Sequence, residues 1–179
     1  MIRLPPGFFA PLAAALFAAA MLLSGAAGAA AQDAQRGTGL PLPRFVSLKS
    51  DDVNVRRGPG QEYGVVFTFV REGLPVEIIQ EFDNWRKIRD SEGAEGWVFH
   101  SLLTGERTAL VSPWEDEGRV PAHRSADASA TVVAYLAPRV ITQVEECTGT
   151  WCLVSVEGYE GWIEQNRLWG VYPNEQFSE

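Results

Sequence analysis

Glu95-Gly96-Trp97-Val98 returns later in the chain as Glu160-Gly161-Trp162-Ile163. Working outward, Val65-Val66 falls on Val132-Val133, Leu74 on Val140, Ile78 on Val144, Trp85 on Trp151, Ile88 on Val154 and Leu103 on Leu168. Two single-residue deletions bring everything into step, and both fall in expected loops. Such ordered self-similarity marks two homologous units. Within the first unit the text is a series of short runs rich in Val, Ile, Phe and Trp, closed by Gly, Asp or Asn. These are strand signals. They predict strands at 45–48, 53–56, 65–70, 75–81, 85–89 and 96–99. Val76 and Ile78 alternate around Glu77, the period of a half-buried strand. Asp83-Asn84 is a tight-turn pair between two of the strands. No amphipathic helix of useful length is visible.

The rest of the chain falls into place around the repeat. Residues 1–31 hold Arg3, an apolar run from Phe8 to Leu23 and a small-residue tract ending in Ala29-Ala30-Ala31. That is the layout of a signal peptide, with Gln32 as the first residue after cleavage and no stable membrane span left behind. Residues 32–43 are small and polar and predict a disordered leader. The first unit runs over 44–104, a connector over 105–117 and the second unit over 118–173. The apolar tract Thr108-Ala109-Leu110-Val111 is odd for an exposed linker, and it is expected to lie across a module or in an interface. Each unit is close to the smallest size that supports a core. The fold class expected is therefore all-β, two tandem small sheets each rolled onto itself.

Charge and chemistry narrow the function classes. The 179-residue chain carries a net charge of −8, and losing Arg3 with the leader makes it more acidic still. Nucleic acid is an unfavourable partner for such a surface. No glycine-rich loop joins a strand to a helix to cradle phosphate. His100 and His123 are far from the cysteines in sequence and read as loop or surface residues, so neither an enzyme nor a metal site is expected, and no cofactor. Cys147 and Cys152 flank Thr148-Gly149-Thr150-Trp151. A hairpin there brings them to bonding distance, and an oxidising compartment favours a disulfide. Free or redox-active thiols are the alternative.

The first unit carries Asp52-Val53-Asn54-Val55-Arg56-Arg57-Gly58-Pro59-Gly60, then Gly73-Leu74-Pro75-Val76, Phe82-Asp83-Asn84-Trp85 and Gly96-Trp97-Val98. The second carries Cys147-Thr148-Gly149-Thr150-Trp151-Cys152, Gly158-Tyr159-Glu160-Gly161-Trp162-Ile163 and Leu168-Trp169-Gly170-Val171-Tyr172-Pro173. In these motifs the chain resembles the bacterial SH3-like (SH3b) family in its tandem alphaproteobacterial periplasmic form. The resemblance implies two SH3-like β-barrels in the periplasm or outside the cell. It implies a non-catalytic binding module, recognising peptidoglycan or an extended peptide or protein ligand. The alternative is a structural or assembly protein that uses the barrels as a protein–protein interface. The second unit departs from the pattern, with Val120-Pro121-Ala122-His123-Arg124-Ser125-Ala126-Asp127 where the first has its Asn and Gly-Pro-Gly turn. The candidate ligand-binding residues are Tyr63, Trp85 and Trp97 as an aromatic shelf, with Arg56 and Arg57 beside it. The same aromatics also suit core or rim packing, and the arginines also suit pairing with nearby carboxylates.

Overall fold

The computed structural model describes residues 37–178. The expected signal peptide and the start of the leader, 32–36, lie outside the described residues. Short apolar runs punctuated by turn residues become strands, and there is no α-helix among the described residues. The first unit gives β1 (Arg44–Leu48), β2 (Val53–Arg56), β3 (Val65–Phe69), β4 (Pro75–Phe82), β5 (Trp85–Arg89) and β6 (Glu95–Phe99). A 3-10 turn at His100–Leu102 leads into β7 (Leu103–Thr104). The second gives β8 (Thr108–Val111), β9 (Val120–His123), β10 (Val132–Leu136), β11 (Ile141–Thr148), β12 (Trp151–Val156) and β13 (Tyr159–Glu164). A second 3-10 turn, Gln165–Arg167, leads into β14 (Leu168–Trp169), and β15 (Gln176–Ser178) ends the described chain.

The duplication read in the sequence is a duplication of topology. The first sheet runs β3-β2-β6-β5-β4-β1-β7, and the second runs β10-β9-β13-β12-β11-β8-β14, with β15 added to β11. All pairs are antiparallel. Even the register breaks correspond: β4 slips between Ile78 and Gln80 against β5, and β11 between Val144 and Glu146 against β12. Extra residues of this kind bend a strand and sharpen its twist, which lets a small sheet wrap its own core.

The recurring glycine of the tetrapeptide has a steric reason. β2 meets β6 through the single register pair Arg56 and Trp97, and β9 meets β13 through His123 and Trp162. A Cβ on Gly96 would collide with the Val55 side chain, and one on Gly161 would collide with Ala122 and Val133. Only glycine admits so close a strand approach. The two cores lie inside these folds. Leu48, Val53, Val55, Val76, Ile78, Ile88 and Val98 form the first. Ala109, Val111, Val120, Ala122, Val144, Val154, Ile163 and Leu168, with both cysteines, contribute to the second.

Two expectations change. The sheets are SH3-like but open, not closed into barrels: the outermost strands β3 and β7 are not paired with each other. Closure would need a ladder along β7, which has two residues, both already paired with β1. The second sheet also begins earlier than expected. Thr108–Val111, placed by sequence in the connector and expected to lie across a module or in an interface, is β8, buried at all four positions. It pairs with β11 and β14 as β1 pairs with β4 and β7.

Period-two alternation explains why β8 lacks a polar face. Ala109 and Val111 enter their own core, whereas Thr108 turns toward the first sheet. Its Oγ1 lies 2.7 Å from Ser47 Oγ and donates to Gly73 O at 2.7 Å. On β1, Val46 and Leu48 pack in the first core and Phe45 faces the second sheet, its ring 5.3 Å from Trp169 and 4.7 Å from Tyr172. The two sheets thus meet through β1 and β8.

Candidate functional site

The meeting of the two sheets leaves a cleft of about 1030 Å³. One wall comes from the first sheet: Phe45 on β1, Glu77 on β4, Arg89 on β5 and the turn Asp90–Gly93. The other comes from the second: Gly149, Thr150 and Trp151 at the β11–β12 hairpin, Glu164 at the end of β13 with Gln165 and Asn166 after it, then Leu168, Trp169 and Val171 to Asn174. Four aromatic rings, Phe45, Trp151, Trp169 and Tyr172, line it.

Each wall is fixed by its own chemistry. Asp90 Oδ1 accepts from the Glu92 and Ala94 amides at 3.0 and 2.8 Å, which shapes the first-sheet turn. Arg89 donates twice to Glu77 Oε2, at 2.9 and 2.5 Å. Tyr172 donates from its hydroxyl to Glu77 Oε1 at 3.0 Å and so ties the second sheet to the first. Burial first, and then the hydrogen bond to Glu77 and its charge, push the Tyr172 phenol well above its ordinary value, so it remains a donor. The segment after Trp169 is anchored by Arg107. This guanidinium pairs with both Glu175 carboxylate oxygens at 2.9 and 3.1 Å, donates to Gly170 O at 3.1 Å and lies 4.6 Å over the Phe177 ring. Glu175 in turn accepts from the Tyr172 amide at 2.8 Å. Bidentate pairing of this kind fixes orientation as well as energy. The cleft is therefore preformed.

Two carboxylates on the rim stand apart. Glu92 from the first sheet and Glu164 from the second both line the cleft. Neither side chain has a hydrogen bond or ion pair among the described residues. Trp169 shows the converse: its Nε1 is buried with no partner among the described residues.

The residues expected to bind ligand lie elsewhere. Arg56 Nη1 donates to Gln61 O at 3.2 Å and to Tyr63 O at 2.7 Å, holding the Gly58-Pro59-Gly60 loop. Tyr63 covers Gly58, where a Cβ would run into its ring, and stays 43% exposed. Arg57 is exposed. Trp85 is half-buried, edge-on to Phe99 at 5.4 Å. Trp97 is buried to 9%. Register puts Arg56, Trp97, Phe99 and Trp85 on one face of the sheet, but none of the five lines the cleft. Cys147 and Cys152 are cross-strand partners joined as a disulfide.

A sequence profile of the bacterial SH3 domain matches residues 49–105 and again 116–170, more than half of the chain. The chain belongs to the bacterial SH3 domain family. This tandem SH3 chain is 37% identical over 65 residues to the putative N-acetylmuramoyl-L-alanine amidase YrvJ of Bacillus subtilis (strain 168), a stretch that is 36% of this chain and 12% of the amidase. Among solved structures it is similar to NlpC2 from Trichomonas vaginalis at 14% identity and a TM-score of 0.31, over 71% of this chain and 48% of that one. It is similar to NlpC1 from the same organism at 12% identity and a TM-score of 0.28, over 74% and 48%. The chain thus spans a small part of the amidase and just under half of each NlpC chain.

The sequence reading missed the cleft because its walls come from both units, and a repeat alignment treats each unit alone. One signal was present. Trp169 and Tyr172 form an aromatic pair just after the second repeat, with Thr104 and Arg107 at the matching places of the first.

Proposed function

We propose that this SH3 pair is a non-catalytic binding module of the bacterial cell envelope, acting in the periplasm, and that its inter-sheet cleft holds an extended peptide segment of peptidoglycan. One observation carries the reading: four aromatic rings and several convergent polar groups line a preformed cleft large enough for several residues of ligand. Sites for peptides and small ligands have this composition. The similarity to a stretch of a putative N-acetylmuramoyl-L-alanine amidase supports the choice of ligand class. Binding, not turnover, suits the groups present. Both cysteines are in the disulfide. His123 Nδ1 is 2.9 Å from Ala130 O and its ring packs on Trp151, while His100 packs on Phe99.

The test is co-sedimentation of the full chain with purified peptidoglycan sacculi. Ser91→Trp places a bulky ring in the cleft from an exposed turn and is expected to abolish sedimentation with an unchanged melting temperature. Tyr63→Ala and Arg57→Ala, on the shelf expected from sequence, are expected to leave it intact. Loss of sedimentation in the shelf variants but not in Ser91→Trp would move the site to the shelf. The assembly reading rests on a smaller apolar recess where Tyr135 and Tyr159, 60% and 68% exposed, flank Val140 and Val156. A dimer in light scattering that is lost in Tyr159→Ala, with no sacculus binding, would favour it.

A further inference from the structure

We propose that the Cys147–Cys152 disulfide is a redox latch on the cleft: the closed bond holds one wall in place, and its reduction to two thiols releases that wall and weakens ligand binding with both sheets still folded. The inference rests on the reading of the cleft as a ligand site and names what regulates it. The two sheets share one β-hairpin with different closures. In the first, Glu81 and Arg86 face each other across the turn Asp83-Asn84 and are joined by an ion pair. In the second, Cys147 and Cys152 face each other across Gly149-Thr150 and are joined covalently. The covalent closure sits at the ligand wall. Gly149, Thr150 and Trp151 line the cleft, whereas no residue from Glu81 to Arg86 does. The first sheet has the same strand order with no cysteine in it, so the topology does not depend on the bond.

The bond also governs a second part of the wall. Cys147 is the register partner of Phe177, so β15 adds to β11 beside the disulfide. A three-residue strand at the end of the described chain is the kind of element that frays first. It continues the segment whose Tyr172, Pro173 and Asn174 line the cleft. Gln165, buried to 6%, joins the pieces. Its backbone amide donates to Thr150 O at 2.8 Å and its Nε2 to Glu175 O at 3.0 Å. Hairpin tip, Gln165 and β15 thus form one connected unit with the disulfide at its base. Both cysteines are buried, at 3% and 0%, so a reductant reaches the sulfurs only when this unit opens. A dithiol supplies the electrons. One of its thiolates attacks a sulfur of the bond and gives a mixed disulfide, and its second thiolate displaces the protein sulfur. Cys147 and Cys152 gain two electrons and two protons, and the dithiol leaves as its own disulfide. A ligand filling the cleft opposes the same opening. By linkage, the factor that reduction takes from ligand affinity is the factor that ligand takes from reducibility.

The test uses the full chain, oxidised or reduced with dithiothreitol, and the Cys147→Ala/Cys152→Ala double variant as the permanently open form. Hydrogen exchange read by mass spectrometry is expected to quicken at 146–152 and 172–178 on reduction, with first-sheet amides unchanged. Affinity for purified sacculi is expected to fall roughly fivefold, and the ratio of reduced to oxidised dithiothreitol at half-reduction to rise roughly fivefold with sacculi in excess. Glu81→Gln breaks the matching first-sheet slot and should change neither. Faster exchange across both sheets alike would make the bond a general stability cross-link and overturn the latch. Equal sedimentation of the oxidised and reduced chains, with two titratable thiols in the reduced one, would overturn the latch and leave wall binding standing. Absence of sedimentation in both forms would overturn the wall reading instead. The latch then stands or falls on exchange alone, and unchanged rates at 146–152 and 172–178 would overturn it.

Discussion

Glu81 and Arg86 in the first sheet occupy the places that Cys147 and Cys152 take in the second. Both pairs are directly opposed across the same hairpin, three residues beyond Ile78 or Val144. In the second sheet the slot is closed by a covalent bond buried in the core. In the first it is closed by a buried ion pair, Arg86 Nε to Glu81 Oε1 at 3.2 Å, with Arg44 Nη2 on the same oxygen at 2.5 Å. Each slot also collects a chain end. Thr38 from the leader donates to Glu81 through its amide and hydroxyl, and β15 adds to β11 with Phe177 opposite Cys147. One backbone position thus has two solutions. The covalent one restricts the unfolded chain. The ionic one must satisfy two desolvated charges continuously, and that makes it the fragile one.

Breaking the ionic slot gives the largest effect. Arg86→Met takes one of two cations from the Glu81 carboxylate and deletes the guanidinium's donations to Asp83 O and Trp85 O, which together costs about 3 kcal/mol. Replacing all three members, as in Glu81→Leu with Arg86→Met and Arg44→Met, should recover most of that, since packed apolar side chains often match a buried ionic cluster. Denaturant unfolding of both variants checks this. A triple variant as unstable as the single one would mean that the shape of the slot matters and its charge does not.

Acid and reductant should separate the two slots. Reducing Cys147–Cys152 removes a cross-link that closes a short loop, worth about 2 kcal/mol on the chain-entropy estimate and independent of acid. Glu81 responds to pH. Burial alone would raise its pKa, but the hydrogen bonds from Arg44 and Thr38 and the Arg44 charge outweigh it and hold the carboxyl below the usual carboxylate range. A carboxyl depressed in the folded state stabilises fully above its unfolded value. That stability is lost as pH falls through the folded value. The melting-temperature gap between wild type and Glu81→Gln should therefore shrink from pH 6 toward pH 3, with or without reductant. A gap that is constant with pH would detach the acid response from Glu81.

The duplicated topology was legible because the repeat carries steric necessities, such as the glycines that let β2 and β9 approach their partners. Strand limits inside each unit were legible from period two. The first strand of the second sheet was not, because β8 is buried on both faces by a neighbour that sequence periodicity cannot see. The shelf of Tyr63, Trp85, Trp97, Arg56 and Arg57 rests on residue type, which does not show that Arg56 holds its own loop through Gln61 O and Tyr63 O. In the second unit His123 stands at the Arg56 position. It keeps the loop contact through Ala130 O and packs its ring on Trp151.

Trp169 offers the smallest effect and the finest discrimination between the halves. It follows Leu168 on β14 as Thr104 follows Leu103 on β7, so the second sheet carries a ring where the first carries a hydroxyl. That ring meets Phe45 edge-on across the interface, and an aromatic pair contributes about 1 kcal/mol beyond its area. The indole Nε1, by contrast, is buried without a partner among the described residues, and an unmet donor works against stability. Trp169→Phe keeps a ring against Phe45 and deletes the donor, so the two changes nearly cancel and stability should shift by less than about 1 kcal/mol. Trp169→Thr copies the first sheet, loses the ring and should cost several times more. If Trp169→Phe proved as costly as Trp169→Thr, the indole nitrogen would be satisfied in solution, with bound water as the available partner.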